Sequence, residues 1–344
     1  MIDREMRWGI LGAGRIAHRF AASLAQVPGA RIVAVAGRSS EKLQAFIENA
    51  QLPGALIYAG DALDDISGDA AYEALLTDSS VDAVYLSLPH GMHERWAVAA
   101  LEAGKAVLCE KPAVLNEGQA QHIADVAQAH GVLFMEAMKN RFCPLHDRVW
   151  DVLRGGELGA VKGVESVQTL QYHEPPTAYL LDPVQGGALL DMGCYAVGWF
   201  EELCPGGAVL NECAVRWREA STPGERVDWA DDVHMEIGGI SVHMLLDGAA
   251  GYRSALTIAC EHGSIVVDRL HRPEIAEVHR ADGTVETLEA PYEVDDFYGQ
   301  ISHFVELWRS AVHESPVMPL GATIRCARLL DAIQAGFDGC GELR

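Results

Sequence analysis

Trp8-Gly9-Ile10-Leu11-Gly12-Ala13-Gly14-Arg15-Ile16-Ala17 is the stretch that decides the fold. An apolar run ends in a glycine-spaced turn and passes directly into a helical pattern at 16–26. Each small residue meets a separate demand of a bound pyrophosphate. Gly12 permits the tight turn and Gly14 lets the backbone approach the anion. Ala17 lets the helix pack on the strand, with the helix N-terminus facing negative charge. Ala13, Arg15 and Ile16 complete the loop and first turn and are counted with the cofactor site. Alone, the spacing is a weak signal, and a glycine turn in some other α/β fold is the alternative. At the first strand–helix junction of an alternating series it becomes specific.

That series is present. Apolar, β-branched runs at 8–11, 32–36, 83–88, 106–109 and 132–135 alternate with helical patterns such as 16–26, 94–103 and 117–129. Unbroken apolar runs suit strands covered by helices on both faces, and the alternation predicts βαβ units in a doubly wound parallel sheet. Gly104 and Gly131 follow two of the helices, where a left-handed residue is needed. The Asp- and Gly-rich segment 60–69 predicts a surface loop. After Asn140 the rhythm changes to one helix at 145–154 and then strand patterns up to 288. Val233, Met235 and Ile237 alternate with His234, Glu236 and Gly238, and Gly238-Gly239 offers a tight turn into Val242, Met244 and Leu246. An antiparallel meander with one apolar face is expected there. Helical patterns at 298–312 and 322–337 close the chain. The predicted fold is α/β: a Rossmann dinucleotide-binding domain over 1–138, then a C-terminal α/β domain over 139–344 with a large, mostly antiparallel, open-faced sheet.

Bulk properties exclude several function classes. The 344 residues have room for two domains, and 49% hydrophobic with 22% charged residues is an ordinary globular balance. The formal net charge of −23 repels phosphate backbones and anionic lipid at long range, so neither a nucleic acid nor a membrane is expected as partner. No apolar run approaches the ~18 residues of a spanning helix. Residues 1–7 are short, charged and without a secretory h-region. The eight cysteines form no C-x-x-C pair, and several sit in apolar patterns. Reduced, mostly buried thiols and a cytoplasmic location are expected. The 14 histidines form no H-x-x-x-H or H-E-x-x-H cluster, so no metal site is expected.

Cofactor choice is read at the end of the second strand, Val35-Ala36-Gly37-Arg38-Ser39-Ser40. Sites that select NAD place an acid here for the ribose 2′-hydroxyl. Gly37 stands at that position and Arg38 follows, with two hydroxyls beside it. A guanidinium matches a 2′-phosphate, so NADP(H) is favoured and NAD(H) is the alternative. The competing assignments are a solvated Arg38 and a Ser39 that caps the next helix.

Two later stretches carry a family resemblance: Gly104-Lys105-Ala106-Val107-Leu108-Cys109-Glu110-Lys111-Pro112 and Gly186-Gly187-Ala188-Leu189-Leu190-Asp191-Met192-Gly193-Cys194-Tyr195. With the N-terminal glycine loop and Met135-Glu136-Ala137-Met138-Lys139-Asn140-Arg141-Phe142-Cys143-Pro144, the chain resembles the Gfo/Idh/MocA oxidoreductases. The similarity is strongest to the branch containing glucose–fructose oxidoreductase and dimeric dihydrodiol dehydrogenase. It implies reversible hydride transfer between nicotinamide and a secondary carbinol of a sugar, polyol or vicinal diol.

The resemblance also implies residue roles. Lys111 would lie at the carboxyl end of a strand beside nicotinamide and substrate, where an ammonium stabilises developing negative charge; a surface lysine is the alternative. Tyr195 would be the proton donor or acceptor where much of the family has histidine; a core tyrosine is the alternative. Asp191 would orient the substrate hydroxyl or Lys111, or else cap a helix. Glu110 and the loop Leu88-Pro89-His90-Gly91-Met92-His93 would border the cofactor, with His90 in place of the usual Asn and His93 either a contact or a helix start. Arg141 and His173 are candidate substrate contacts, against a structural salt bridge and an exposed strand residue. Trp8 and Trp199 are expected in the core. A homodimer through the C-terminal sheet is expected, because the meander's apolar face needs cover. A dinucleotide-binding sensor without turnover is the second functional class, and retention of both Lys111 and Tyr195 counts against it.

Overall fold

The computed structural model describes residues 4–65 and 67–343, so residue 66 of the expected loop and the extreme ends lie outside the described residues. The chain forms two compact units, one of residues 1–114, 118–137 and 293–324, the other of 115–117, 138–292 and 325–344.

The first unit contains β1 (Met6–Leu11), α1 (Arg15–Leu24), β2 (Ala30–Gly37), α2 (Ser40–Asn49), β3 (Leu56–Ala59), α3 (Asp69–Thr77), β4 (Ala83–Leu86), α4 (His93–Glu102), β5 (Ala106–Cys109), α5 (Glu117–His130) and β6 (Phe134–Glu136). Its six strands are parallel in the order β3-β2-β1-β4-β5-β6. This is the doubly wound arrangement that the alternating apolar runs predicted. The order reverses between β1 and β4, and a crevice forms at the carboxyl ends of strands at such a switch. Trp8 is fully buried, and Phe20 stacks on Tyr85 with centroids 3.8 Å apart. The predicted 60–69 loop holds a short 3-10 turn at Asp61–Leu63 and leads into α3.

The second unit contains α6 (Pro144–Arg154), β7 (Val161–Thr169), a π-helical turn (Leu189–Gly193) that runs into α7 (Cys194–Leu203), then β8 (Ala208–Glu219), β9 (Arg226–Ile237), β10 (Ile240–Asp247), β11 (Arg253–Cys260), β12 (Gly263–Asp268), β13 (Ile275–Arg280) and β14 (Val285–Glu289). After α8 (Tyr298–Arg309) and α9 (Leu320–Gly336), β15 (Gly341–Glu342) adds a ninth strand. The sheet order is β14-β13-β12-β11-β7-β10-β9-β8-β15, antiparallel except at β7–β10 and β8–β15. The predicted hairpin is present: Ile237 pairs with Ile240, and Gly238 and Gly239 both have positive φ, 58° and 85°.

Three expectations are corrected. The C-terminal domain is not one continuous segment, because residues 293–324 return to the first unit. There Phe304 of α8 lies 5.1 Å from Trp8, and Arg309 donates to the Gly29 carbonyl at 3.1 Å. The meander's apolar face needs no second copy, since the chain's own π-turn packs against β10 and α7 against β7. Val233, Met235, Ile237, Val242, Met244 and Leu246 are accordingly 0–2% exposed. Finally, Cys213 and Cys340 are joined as a disulfide with Cα atoms 4.9 Å apart, so the thiols are not all reduced. The sequence separation of 127 residues hides that pair, which forms because β15 lies beside β8. Cys109, Cys143, Cys194, Cys204 and Cys326 are buried thiols outside any disulfide, as expected.

Candidate active site

The glycine loop sits at the β1–β4 switch. Gly12 has φ +91°, and a Cβ there would lie 2.9 Å from the Ser87 carbonyl oxygen and from Leu88 Cδ2. Only glycine fits both restraints. Its N–H donates to Ala36 O at 3.0 Å and its carbonyl accepts from the Ser87 hydroxyl at 2.7 Å, so the turn is pinned to β2 and to the loop after β4. Gly14 differs. Its φ of −85° is ordinary, and a Cβ would meet nothing within 4 Å. What glycine preserves there is open space at the N-terminus of α1, which carries no side-chain cap. Ala17 is fully buried, as helix–strand packing required.

A cavity of about 1040 Å³ opens at this loop, with Gly12, Ala13, Gly14, Arg38, Ser39, Leu88 and Pro89 among its walls. These are seven of the twelve residues expected at the cofactor. At its far end Arg38 and Lys42 are exposed cations. Asp61, Asp64 and Asp65 also line that end, and hydrogen bonds occupy the ionised Asp61 and Asp65 carboxylates. Asp61 accepts from Ser40 N at 2.9 Å, and Asp65 accepts from Ser67 N at 2.9 Å and Ala70 N at 2.8 Å. Ser39 caps α2, accepting from Lys42 N at 3.4 Å, and lines the cavity as well. A glycine cradle that a Cβ would fill, an uncapped helix start and two exposed cations at the far end fit a phosphorylated dinucleotide.

The remaining five are not among the cavity's walls. Arg15 is exposed and Ile16 half-buried on the first turn of α1. His93 is fully enclosed, with Nε2 2.8 Å from Leu88 O and Nδ1 3.0 Å from Pro112 O. So placed, it ties the loop after β4 to the loop after β5. Burial pushes its pKa down to about 4, so the ring is neutral near pH 7 and donates to one of the two carbonyls. Glu110, expected beside the cofactor, is 9% exposed and turned inward. Its carboxylate accepts from the Tyr85 hydroxyl and from Lys111 N at 3.3 Å.

Lys111, half-buried, therefore sits on a braced loop. Glu110 holds its own N–H, His93 meets Pro112 O, and Glu136 Oε1 accepts from Ala113 N at 3.0 Å. The Lys111–Pro112 peptide is cis. The bracing carboxylate of Glu136, only 3% exposed, was missed in the sequence. Its signal was an acid ending the last apolar strand of the parallel series.

In the second unit the structure brings Asp191 and Tyr195 onto one continuous helical run, the π-turn and the first turn of α7. A π-turn is rare and commonly marks a functional segment. The Gly186-Gly187 pair starts it for steric reasons: a Cβ on Gly187 (φ +90°) would lie 1.9 Å from Asp228 Oδ1. Asp228 in turn accepts from Leu189 N at 2.7 Å, filling the capping role that was open for Asp191. Asp191 instead accepts from the Tyr172 hydroxyl at 2.7 Å, and burial beside this carboxylate pushes the Tyr172 pKa up. Asp231 is buried next to Asp228, which raises its pKa well above the usual carboxylate range.

Tyr195 is half-buried, 5.7 Å from the His271 ring, and Lys139 Nζ lies 5.8 Å from its ring centroid. Lys139, 4% exposed, is a cation of the 135–144 segment that its sequence context did not single out. Arg141 resolves to its structural alternative. It is 3% exposed and donates to Gly198 O at 2.7 Å and to Glu201 Oε2 at 2.6 Å. His173 is exposed and His90 is 6% exposed. Trp8 and Trp199 are core residues, with Trp199 Nε1 donating to Leu270 O at 3.0 Å.

Residues 6–138 match the model of the Gfo/Idh/MocA oxidoreductase family, NAD-binding Rossmann fold. The chain is 27% identical over 334 residues to a scyllo-inositol 2-dehydrogenase (NADP+) of Bacillus subtilis, covering 95% of both. It is 32% identical over 193 residues to the trans-1,2-dihydrobenzene-1,2-diol dehydrogenase of Xenopus tropicalis, a match over 56% of this chain and 54% of that one. A D-xylose 1-dehydrogenase (NADP+) of Haloferax volcanii matches at 34% over 55% of its length, so such matches span about half of these relatives. Among solved structures, a 3-ketoreductase of Actinomadura kijaniata in complex with TDP-benzene and NADP superposes with TM-score 0.80 at 26% identity, over 97% of this chain and 98% of that one. An aldose-aldose oxidoreductase of Caulobacter crescentus, 20% identical with TM-score 0.83 over 98% of both, shares the fold.

Proposed function

We propose that this chain, which carries the Rossmann domain of the Gfo/Idh/MocA oxidoreductases, catalyses hydride transfer between NADP(H) and a secondary carbinol or carbonyl of a sugar, polyol or vicinal diol. The observation that carries the proposal is the cavity at the sheet's switch point, glycine-floored at one end and lined at the other by the exposed cations Arg38 and Lys42, with no acid at the Gly37 position. The NADP-dependent names of sugar and inositol dehydrogenases among its relatives support the cofactor and the substrate class.

Gly12, Ala13 and Gly14 hold the pyrophosphate, Arg38 and Ser39 the 2′-phosphate, and Leu88 and Pro89 the middle of the dinucleotide. The nicotinamide, when bound, accepts or supplies the hydride. The protein's own work is on the substrate oxygen. Lys111 places an ammonium beside it and stabilises the negative charge that develops as the O–H bond breaks. Tyr195 takes that proton in oxidation and returns it in reduction. A free tyrosine titrates near ~10, so Tyr195 needs cations to act near neutrality, a role for Lys111 and Lys139. Asp191, fixed by Tyr172, orients the substrate hydroxyl.

The partners are small molecules and, for the open face of the nine-stranded sheet, a second copy; half-buried Leu245, Ala255 and Thr257 among charged neighbours support that face as the contact. We place the protein in the cytoplasm on its mostly buried thiols, six of the eight cysteines standing outside the Cys213–Cys340 disulfide. The deciding experiment follows absorbance near ~340 nm with NADP⁺ and then NAD⁺ against aldoses, polyols and trans-diols. Turnover with NADP⁺ and one substrate class is expected. Cofactor binding without turnover across the panel would transfer the assignment to a sensor.

A further inference from the structure

Asp232 and His234 of β9 and His243 of β10 gather on the open face of the nine-stranded sheet. The hairpin register sets them together. His234 lies directly opposite His243, and Asp232 is two residues along the same strand, hence on the same face. The two imidazoles stack with centroids 4.2 Å apart and 3° between planes. Both aim Nε2 at one oxygen: Asp232 Oδ1 is 2.8 Å from His243 and 3.3 Å from His234. One donor atom from each residue lies within 4.8 Å of the others.

We propose that Asp232, His234 and His243 form a binding site for a single divalent transition-metal ion, with Zn²⁺ the best fit. Two imidazole nitrogens and one carboxylate oxygen suit zinc and its neighbours, whereas Mg²⁺ and Ca²⁺ take oxygen shells. Tetrahedral ligands at about 2.0–2.1 Å stand about 3.3 Å apart. The two Asp–His spacings are at that edge or about half an ångström inside it, so small rotamer shifts admit the ion. In the single chain the side chains of Asp232, His234 and His243 are 34%, 50% and 29% exposed; because the proposed contact between copies uses the same face, the ion loads from solvent while the chains are apart, and water completes its shell. Electrostatics favour entry as well. Glu212 stands opposite His234 in the β8–β9 ladder, Glu236 follows on β9, and the chain carries −23. The π-turn and α7 pack on the other face, so the ion is a cross-strand clasp on the hairpin, separate from Asp191 and Tyr195. The expectation of no metal site rested on helix-spaced motifs; these ligands meet only through strand pairing.

Untagged protein, stripped with chelator, is titrated with Zn²⁺ by calorimetry while thermal unfolding is followed. One equivalent per chain and a Tm several degrees higher, reversed by EDTA, are expected. At least a tenfold loss of affinity is expected in each of His243→Ala, His234→Ala and Asp232→Asn, with circular dichroism and hydride-transfer rate unchanged. No saturable equivalent in the unsubstituted protein means the histidines only hydrogen-bond Asp232, and the proposal fails. An equivalent that survives all three substitutions places zinc elsewhere, for instance on a free thiol, and overturns it equally.

Discussion

Arg38, Tyr195 and His93 separate three kinds of work that single residues do. Arg38→Ala should weaken NADP(H) binding about tenfold or more, the worth of a charge-assisted contact to phosphate, and leave NAD(H) nearly untouched. Equal losses for both cofactors in a fluorescence titration would remove the 2′-phosphate assignment. Tyr195→Phe should lower kcat by roughly 10²–10⁴ with cofactor affinity preserved. Activity that survived intact would take the proton transfer away from this residue. His93 works on stability. Its folded pKa of about 4 lies below the ordinary value of 6.5, so the unfolded chain binds the proton first as pH falls. The stabilisation tied to its neutral, buried ring is complete above pH ~6.5 and is lost progressively toward pH ~4, amounting to about 3 kcal/mol. Thermal melts across that window should steepen this loss in the parent and flatten it in His93→Gln; identical slopes would refute the linkage.

Elements are positioned here by glycines with specific neighbours. Gly12 and Gly187 are both left-handed, and both face atoms that a Cβ would strike. Gly187→Ala would drive a methyl into the buried Asp228 carboxylate that caps the π-turn. A loss of about 2–4 kcal/mol is expected, read as a lowered Tm, with residual activity falling because Asp191 and Tyr195 ride on that turn. An unchanged Tm would show that Asp228 can move aside. Gly14 makes the contrast, since nothing in the fold requires it. The glycine pairs were legible as turns from spacing alone, whereas the π-turn was not: Leu189-Leu190-Asp191-Met192-Gly193 reads as ordinary helix, and only Asp228, arriving from β9, decides where the run begins. In the same way the Glu-Lys-Pro motif marked Lys111, but His93 and Glu136, which brace it, come from other strands' ends.

At the scale of the whole chain, the second unit covers its own meander. The meander's alternation was correct, but its apolar side meets α7 and the π-turn, which leaves the polar side of the sheet open. The proposed homodimer would therefore rest on that mixed face. Static light scattering should give twice the mass of 37.2 kDa, and a monomer at working concentration would end the proposal. What the sequence determined by itself was local and periodic. Unbroken apolar runs specified a parallel sheet, the glycine spacing specified the tight turn after β1, Gly238-Gly239 specified the hairpin, and the motifs singled out Lys111, Asp191 and Tyr195 as candidates. Tertiary structure alone decided the rest: α8 returning to Trp8, Cys340 reaching Cys213, Arg141 spent on Glu201, and His234 meeting His243 over one aspartate. Propensity and periodicity act over a few residues and survive in the chain order. Contacts between distant segments depend on which face of each element is buried, and that is settled only when the elements pack.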